Sequence, residues 1–306
     1  MSPHPVIIDR GLLRRRQRRA LAGDTPAFLI ERVADDLKER LAVVLRHFEV
    51  AADLGTPTPH LKDVLAQSGK VEAIIAANAF LAYGLDFPRP MVRNVQQLAV
   101  AADEESLPFR DQSLDLIVSG LALQFVNDLP GTLIQARRAL KPDGLFLAAL
   151  LGGDTLTELR QAFAVAEAEL ENGLSPRVMP FADLRDVGGL LQRAGFALPV
   201  VDSDRISVRY ESARALLTDL RRMGAANALV ERRRWPIRRR TFNRMLEVYG
   251  TQHSDSDGRI RATFEIIWLS GWAPHASQQK PLAPGSADVR LADALGAIRA
   301  TRREEE

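Results

Sequence analysis

Short apolar runs alternate with helix-compatible segments in the first half of the chain, and this alternation restricts the fold more than any other feature. The runs are FEVAADLG, VEAIIAAN, QQLAVAAD, LDLIVSGLAL and GLFLAALLGG. Strands that are apolar on both faces and separated by helices are typical of a parallel sheet covered on both sides. The sequence therefore predicts an α/β fold.

Helical patterns lie on both sides of this region. Residues 28–46 place leucine and valine at a four-residue spacing, which predicts an amphipathic helix. Later apolar patterns predict helices at about 154–171, 181–195, 211–223 and 236–249. Asp128 is expected to cap a further helix that has Pro130 in its first turn.

Strand patterns return near the end of the chain. The stretch FALPVVDSDRISVRY predicts two short strands on either side of an acidic turn, and ATFEIIWLSGWAP predicts one strand. Trp268 and Trp272 are four apart in that strand and should pack on one face. We expect a basic, helical segment at 1–46, an α/β domain at 47–290 with helical additions at about 154–249, and a tail at 291–306.

Composition excludes several kinds of site. The 306 residues include no cysteine, so disulfides, thiolate metal sites and cysteine nucleophiles are excluded. The five histidines show no metal-ligand spacing, and we expect no metal site. No apolar run approaches the ~18 residues of a membrane span, so we expect none.

The basic character of the chain is local. The net charge is only +2, yet the pI is about 9.1, and arginines cluster at Arg14 to Arg19 and at Arg232 to Arg240. Such clusters are more often solvated helix faces or contacts with acidic partners than nucleic-acid sites. We expect docking onto a protein partner and no nucleic-acid binding.

Polar residues follow several of the predicted strands. Ligands of open α/β sheets bind outside the carboxyl ends of the strands. The first run ends in Asp53 and Gly55, and the second ends near Asn78. Asp103 and Glu104 stand at the end of the third run, and Asp154 follows the fifth. These residues are candidates for a ligand site at this edge.

The same side chains could have structural roles instead of binding a ligand. Asp53 could cap the next helix or orient a loop amide. The acidic residues from Asp103 to Glu105 could form a solvated turn. Asp154 could be a helix cap, with Glu158 near the capping-box position.

Longer blocks carry a family resemblance across residues 6–290. These blocks are IIDRGLLRRRQRRA, LDLIVSGLALQFVNDLP, ALKPDGLFLAALLGGDTLTELR, LSPRVMPFADLRDVGGLLQRAGF and ATFEIIWLSGW. Together they resemble class I S-adenosylmethionine-dependent methyltransferases. Within that superfamily the chain is similar to a branch that contains malonyl carrier-protein methyltransferases of biotin synthesis and a mitochondrial complex I assembly factor associated with arginine hydroxylation. The assembly-factor side is the better match.

This resemblance implies a fold and a cofactor. The fold would be a Rossmann-like, seven-stranded, mostly parallel sheet with helices on both faces and an antiparallel last strand. The cofactor would be S-adenosylmethionine, held near Asp53, Gly55 and Glu104, with Asp103 on the adenine amino group and Leu107 against the adenine.

On the acceptor side the resemblance points to two residues. Gln124 stands where the family often has histidine, and Asp154 would lie on the rim that an acceptor approaches. No catalytic residue is assigned. Methyl transfer depends mainly on holding donor and acceptor in line, whereas hydroxylation would require an oxidant and a metal or redox partner.

Two departures from the family pattern lead to an alternative function. The loop after Gly55 continues as Thr56, Pro57, Thr58 and Pro59, and each proline removes an N–H donor. Alignment of the second strand places Ile74 where an acid should accept the ribose hydroxyls.

Two hypotheses follow. The chain is an enzyme that acts on a protein or carrier-bound acceptor, or an assembly protein that keeps the fold with a degenerate cofactor site. In both, a respiratory complex I subunit is the expected partner, in the bacterial cytoplasm or the mitochondrial matrix.

Overall fold

A computed structural model describes residues 5–83 and 95–279 of the chain. Residues 1–274 form one compact unit, and residues 275–306 form a second. Of the second unit only 275–279 are described, where His275 and Ser277 are joined by a side-chain hydrogen bond of 2.7 Å. The predicted tail at 291–306 lies outside the described residues.

A seven-stranded sheet forms the centre of the first unit. Its strands are β1 (Phe48–Leu54), β2 (Val71–Asn78), β3 (Gln96–Ala101), β4 (Leu114–Gly120), β5 (Leu140–Leu151), β6 (Ala197–Tyr210) and β7 (Ile260–Trp272). They are ordered β3-β2-β1-β4-β5-β7-β6. Strands β1 to β5 pair in parallel, whereas β7 is antiparallel to both β5 and β6. The expected Rossmann-like, mostly parallel sheet is confirmed.

Eight α-helices surround the sheet in the described part of the chain. They are α1 (Arg10–Leu21), α2 (Phe28–Val43), α3 (His60–Gln67), α4 (Leu129–Ala139), α5 (Thr157–Leu170), α6 (Leu184–Ala194), α7 (Ala213–Arg222) and α8 (Arg239–Gln252). The five helices with predicted bounds are present within a few residues. In α4, the carboxylate of Asp128 accepts from the N–H of Gly131 at 2.8 Å, so the predicted cap is confirmed. In this part of the chain no helix is both long and apolar enough to cross a membrane.

The stretch from 196 to 210 was predicted wrongly as two strands with an acidic turn. Instead, β6 is one continuous strand, and Asp202 and Asp204 lie within it. Arg40 and Arg32 of α2 form ion pairs with these aspartates at 2.5 and 2.9 Å. Because helix-borne charges balance the carboxylates, the acidic residues do not interrupt the edge strand.

The two faces of the sheet are covered by different helices. Leu37 of α2 and Leu61 of α3 are fully buried on one face, and Leu133 of α4 and Val187 of α6 on the other. Trp268 packs beneath α2 with the guanidinium of Arg40 over its ring at 4.6 Å, which confirms the predicted packing role of Trp268. Helices α5, α7 and α8 form a third core together with Leu29 of α2 and residues of β6 and β7.

Helix α1 is anchored to the segment that follows α7. Leu13 is buried with Ile8 and Leu229. The backbone N–H of Asp9 donates to the carbonyl of Ala228 at 2.8 Å. Gly224 has a φ of +70°, and a Cβ there would lie 2.7 Å from the Cα of Gln17 in α1. This close contact requires glycine.

Replacement of Gly224 by alanine should destabilise the protein through α1. The left-handed conformation costs a non-glycine residue ~1–2 kcal/mol, and at Gly224 the new Cβ also collides with the α1 backbone. Gly69 is the matched control, because it has a φ of +67° with nothing within 4 Å. Urea unfolding should show a larger loss for Gly224→Ala than for Gly69→Ala. Equal losses would mean that α1 is not packed on residue 224.

Candidate functional site

The carboxyl ends of β1 to β4 meet at one edge of the sheet, as parallel strands require. In the strand register Leu54 lies opposite Ala77, and Asn78 opposite Ala101. The N–H of Gly55 donates to the carbonyl of Ala77 at 2.8 Å, which joins the first loop to β2. The residues after these strands therefore form one continuous site, called here the strand-end edge.

Gly55 lies directly under the side chain of Glu104. It adopts a φ of +72°, and a Cβ at this position would lie 2.7 Å from the Cγ of Glu104 and 3.0 Å from the Cβ of Ala122. The structure thus brings together two residues predicted to bind the cofactor. Only glycine permits the backbone to pass so close to Glu104.

Asp53 faces the interior and fastens the loop after β1. Its carboxylate accepts a hydrogen bond from the hydroxyl of Thr56, whose oxygen in turn accepts from the N–H of Gly120 at 3.0 Å. Burial raises the pKa of Asp53 to about 7, against the opposing effects of the Thr56 hydrogen bond and the charge of Lys62. Asp53 therefore orients the loop, but through the Thr56 hydroxyl and not through the loop amide that was expected. The capping role is wrong, because α3 has Pro59 at its N-cap with no side-chain cap bond.

Ile74 is not at the position of the ribose acid, and that alignment is wrong. It is fully buried opposite Ala51, in the interior of β2. The residue at the end of the strand is Asn78. Its Oδ1 accepts from the N–H groups of Phe80 and Leu81 at 3.0 and 3.3 Å. A polar, hydrogen-bonding group thus remains at this end of β2.

The acidic residues after β3 are paired with arginines of α1. Arg10 forms ion pairs with Asp103 at 2.6 Å, with Glu105 at 2.7 Å and with Glu104 at a shorter distance. Arg14 forms ion pairs with Asp103 at 2.8 Å and Glu104 at 3.3 Å. The predicted turn is present, but its carboxylates are paired with arginines and the expectation that they are solvated is wrong. We call the five residues the arginine-carboxylate cluster.

The cluster sets the protonation of Asp103. Burial acts to raise the pKa of this carboxyl, but hydrogen bonds from Arg14, the Glu105 backbone and Arg10 outweigh it and lower the pKa to about 2. Asp103 is thus a carboxylate across the ordinary pH range. It is available to a ligand donor only where the arginines do not occupy it.

Side chains from α1 fill most of the space beside the strand-end edge. Arg10, Arg14, Gly55, Phe80 and Glu104 are among the residues around a cavity of about 20 Å³. The residue types fit S-adenosylmethionine: a glycine after β1, an amide after β2 and a carboxylate after β3. In the arrangement shown, the side chains of Arg10 and Arg14 are paired with the Asp103 carboxylate.

Gln124 brings an unused acceptor to the same edge. It lies in the short 3-10 turn Leu123–Phe125 after β4, and its Nε2 donates to the carbonyl of Leu121 at 2.8 Å. Its Oε1 is buried, with no hydrogen-bond partner among the described residues. A buried oxygen without a donor is costly, and a ligand N–H or O–H would satisfy it.

Leu107 lies four residues after Asp103 and packs against the core. It is half-buried, and its N–H donates to the side-chain oxygen of Gln135 at 3.0 Å. This hydrogen bond fixes the turn after β3 on α4. The adenine contact expected of Leu107 stays a prediction.

Asp154 occupies a different environment from the strand-end edge. Its carboxylate pairs with Arg205 of β6, and its N–H donates to Glu265 at 3.0 Å. The capping-box interpretation is wrong, since α5 begins after Leu156 and the carboxylate of Glu158 accepts from the N–H of Thr263 at 3.1 Å. Asp154 is not among the residues around the small cavity, and its acceptor-side role stays a prediction.

Comparison with known proteins assigns the family. A methyltransferase-domain model matches residues 63–148. Human mitochondrial arginine-hydroxylase NDUFAF5 is 38% identical over 304 residues, covering 97% of this chain and 86% of the relative. The malonyl-[acyl-carrier protein] O-methyltransferase of Gallionella capsiferriformans is 33% identical over 279 residues, covering 88% of this chain and 92% of the relative. The chain belongs to the methyltransferase-like family that includes these arginine-hydroxylase NDUFAF5 and malonyl-[acyl-carrier protein] O-methyltransferase relatives.

Solved structures agree on the fold. A Bacillus halodurans protein classed among the methyltransferases superposes with a TM-score of 0.51 at 15% identity, over 78% of this chain and 98% of its own. The YcgJ protein of Bacillus subtilis gives a TM-score of 0.50 at 16% identity, with the same coverage of both chains. The fold is that of the methyltransferases.

Two residues of the site were not predicted from the sequence, and the role of a third was assigned to the wrong position. The second run was expected to end near Asn78, but the ribose acid was aligned with Ile74 instead. Arg10 and Arg14 were counted only as part of an arginine-rich beginning. Their four-residue spacing around buried Leu13 was the available signal, since such residues share one helix face.

The stability of the protein should depend on the charge of Asp53. Its folded pKa of about 7 lies above the ordinary value of 3.8. Stabilisation by the protonated form is therefore fully present below pH 3.8 and is lost as the pH rises through 7, at roughly 1.4 kcal/mol for each pH unit between the two pKa values. Relative to Asp53→Asn, the wild type should lose stability between pH 5 and pH 8 in urea unfolding. Exposed Asp35→Asn is the control, and parallel curves for all three proteins would contradict the assignment.

Proposed function

We propose that this protein binds S-adenosylmethionine at the strand-end edge and acts on a protein or carrier-bound acceptor. One observation carries the proposal. Gly55, Asn78 and Asp103 follow three adjacent parallel strands and converge on the edge where open α/β sheets bind their ligands.

Each residue of the strand-end edge has a definite part in holding the cofactor. The Gly55 backbone offers close approach without a side chain. Asp103 offers a carboxylate for an amino or hydroxyl group, and Asn78 offers an amide whose Oδ1 already accepts two backbone N–H groups. On the acceptor side, Gln124 offers an oxygen with no partner in the described structure. The bound cofactor supplies an activated methyl group. The protein's main contribution to methyl transfer is then orientation of the reactants, which requires few acid-base groups.

Cofactor binding requires rearrangement of α1 side chains. Arg10 and Arg14 must leave Asp103, and the Glu104 side chain must move away from Gly55. Breaking these ion pairs lowers the apparent affinity, because part of the binding free energy is used to change the conformation. Removal of the two arginines should therefore strengthen cofactor binding.

The acceptor that we propose is a protein, with a respiratory complex I subunit as the expected case. The human relative named arginine-hydroxylase is 38% identical over 97% of this chain, whereas methyltransferases named for malonyl carrier protein reach 34% and cover up to 93%. The proposed location follows these relatives: the mitochondrial matrix or the bacterial cytoplasm. Product mass distinguishes the reactions, since methylation adds CH₂ and hydroxylation adds oxygen.

A second candidate is an assembly protein that keeps the fold and does not use the cofactor. The observation that favours it is the arginine-carboxylate cluster, which satisfies Asp103 and Glu104 within the protein itself. In this case the arginines are permanent structural partners. The two candidates differ in whether the cluster opens for a ligand.

Isothermal titration with S-adenosylmethionine and S-adenosylhomocysteine distinguishes these candidates. We expect micromolar binding to the wild type. Asn78→Asp should bind more tightly by about 10- to 100-fold, because a hydrogen bond to a charged group contributes ~1.5–3 kcal/mol. Arg10→Gln combined with Arg14→Gln should also bind more tightly.

The control carries Arg15→Gln and Arg19→Gln, which remove the same charge from exposed positions of α1. Its affinity should equal that of the wild type. Absence of binding at millimolar concentrations to well-folded wild type and to both designed variants would contradict the enzyme and leave the assembly protein.

A further inference from the structure

A second, much larger cavity lies against the other face of α1. Its volume is about 950 Å³, and α1, α5, α7, α8 and the segment 225–237 contribute to its walls. Leu12 and Arg16 of α1 line this cavity, whereas Arg10 and Arg14 face the strand-end edge. The helix therefore separates two distinct sites.

Positive charge dominates the wall of this cavity. Seven of the described lining residues are arginines, and Asp9 is the one carboxylate among them. Three of the seven are paired: Arg177 with Glu167, Arg232 with Asp9, and Arg233 with Glu171. The other four have no carboxylate partner in the described part of the chain. They are Arg16, Arg214, Arg221 and Arg234.

The pKa of Arg16 responds to this concentration of positive charge. Its guanidinium donates to the backbone carbonyl of Ala226 at 3.0 Å and, at a shorter distance, to that of Asn227. Burial lowers the pKa of Arg16, and the nearby positive charge of Arg232 lowers it further. The charge of Asp9 opposes this effect only in part, because the net pKa stays lowered, and an anion bound here would offset the remaining repulsion.

The floor of the cavity is apolar. Leu159 and Phe163 of α5, Leu217 of α7 and Phe242 of α8 contribute to it. The guanidinium of Arg177 lies 5.6 Å from the centre of the Phe163 ring, and that of Arg214 lies 4.9 Å from the Phe242 ring. Arginines thus cover both phenylalanines of the cavity. Because an arginine covers each ring, neither ring is free to stack on a nucleic-acid base.

We propose that this cavity binds an acidic, amphipathic peptide segment of a partner protein. Carboxylates of the segment pair with Arg214, Arg221 and Arg234, and its apolar side chains pack on Leu159 and Leu217. The volume is near the upper limit for small-molecule pockets and is large enough for several side chains. The site goes beyond the proposed function, because it requires neither cofactor nor methyl transfer.

The test begins with selection of random dodecapeptides displayed on phage against the full-length protein. Selected clones should combine aspartate or glutamate with leucine, isoleucine or phenylalanine. The most enriched peptide is then synthesised with a fluorescent label, and its dissociation constant is measured by anisotropy. A second peptide in which every acid is replaced by its amide should bind at least tenfold more weakly.

The cavity variant carries Arg214→Gln, Arg221→Gln and Arg234→Gln. All three arginines are exposed and pair with no described carboxylate, so no ion pair in the described structure is lost. The matched control carries Arg110→Gln, Arg185→Gln and Arg193→Gln, three exposed arginines that do not line the cavity. The cavity variant should lose at least tenfold in affinity, and the control should bind as the wild type does. Thermal unfolding confirms that both variants are folded.

Several results would overturn the proposal. One is failure of the selection to enrich acidic, amphipathic peptides. Another is an equal loss of peptide affinity in both triple variants, because that would mean that the peptide responds to the overall positive charge of the protein and not to the cavity. Tighter binding of a single-stranded dodecanucleotide than of any selected peptide would assign the cavity to nucleic acid instead. Loss of cofactor binding alone leaves the peptide measurement unchanged, so the two proposals fail separately.

Discussion

The arginine-carboxylate cluster is the interaction on which the functional half of this structure depends. It joins Arg10 and Arg14 of α1 to the three acidic residues that follow β3. The Arg10–Glu104 pair is largely shielded: 13% of the Arg10 side chain and 11% of the Glu104 side chain are exposed. Charges removed from water in this way are stable only when each has a partner. The cluster therefore fixes α1 over the carboxyl ends of the strands.

The remaining contacts of α1 are consistent with this position. Asn127, in the loop after β4, accepts from the backbone N–H groups of Ile7 and Ile8 at 2.9 and 2.8 Å. On the other side, Gly224 permits close contact with Gln17. The chain before β1 thus closes the strand-end edge and also forms one wall of the arginine-lined cavity. A ligand that displaces Arg10 and Arg14 necessarily acts on the helix that both sites share.

The sequence was sufficient to predict the parts of the fold that repeat a simple pattern. Continuous apolar runs indicated the parallel strands. The N-cap residue Asp128 and Pro130 in the first turn indicated where the fourth helix begins. The position of the ribose acid was harder to predict. The run that contains Ile74 and Asn78 was expected to end near Asn78, yet the acid was aligned with Ile74, which pairs with Ala51 inside the sheet.

Long-range ion pairs were not predictable from the sequence. Arg14 and Asp103 are far apart along the chain, and α1 meets the residues after β3 only in the folded protein. For the same reason a helix cap was one of the two roles predicted for Asp154, although its carboxylate pairs with Arg205 of a distant strand. Local patterns therefore predicted the scaffold well, whereas the charges that occupy the site depend on tertiary contacts.

The coupling between Arg10 and Glu104 is the quantity that decides whether α1 is held on the strand-end edge. A double-mutant cycle with Arg10→Ala, Glu104→Gln and the combined variant, followed by urea unfolding, measures their coupling free energy. Residues that share a buried ionic network are typically coupled by ~0.5–3 kcal/mol. We predict coupling of about 1 kcal/mol or more, and none in the same cycle built with exposed Arg15. Zero coupling between Arg10 and Glu104 would show that the cluster does not hold α1 and would contradict its central role.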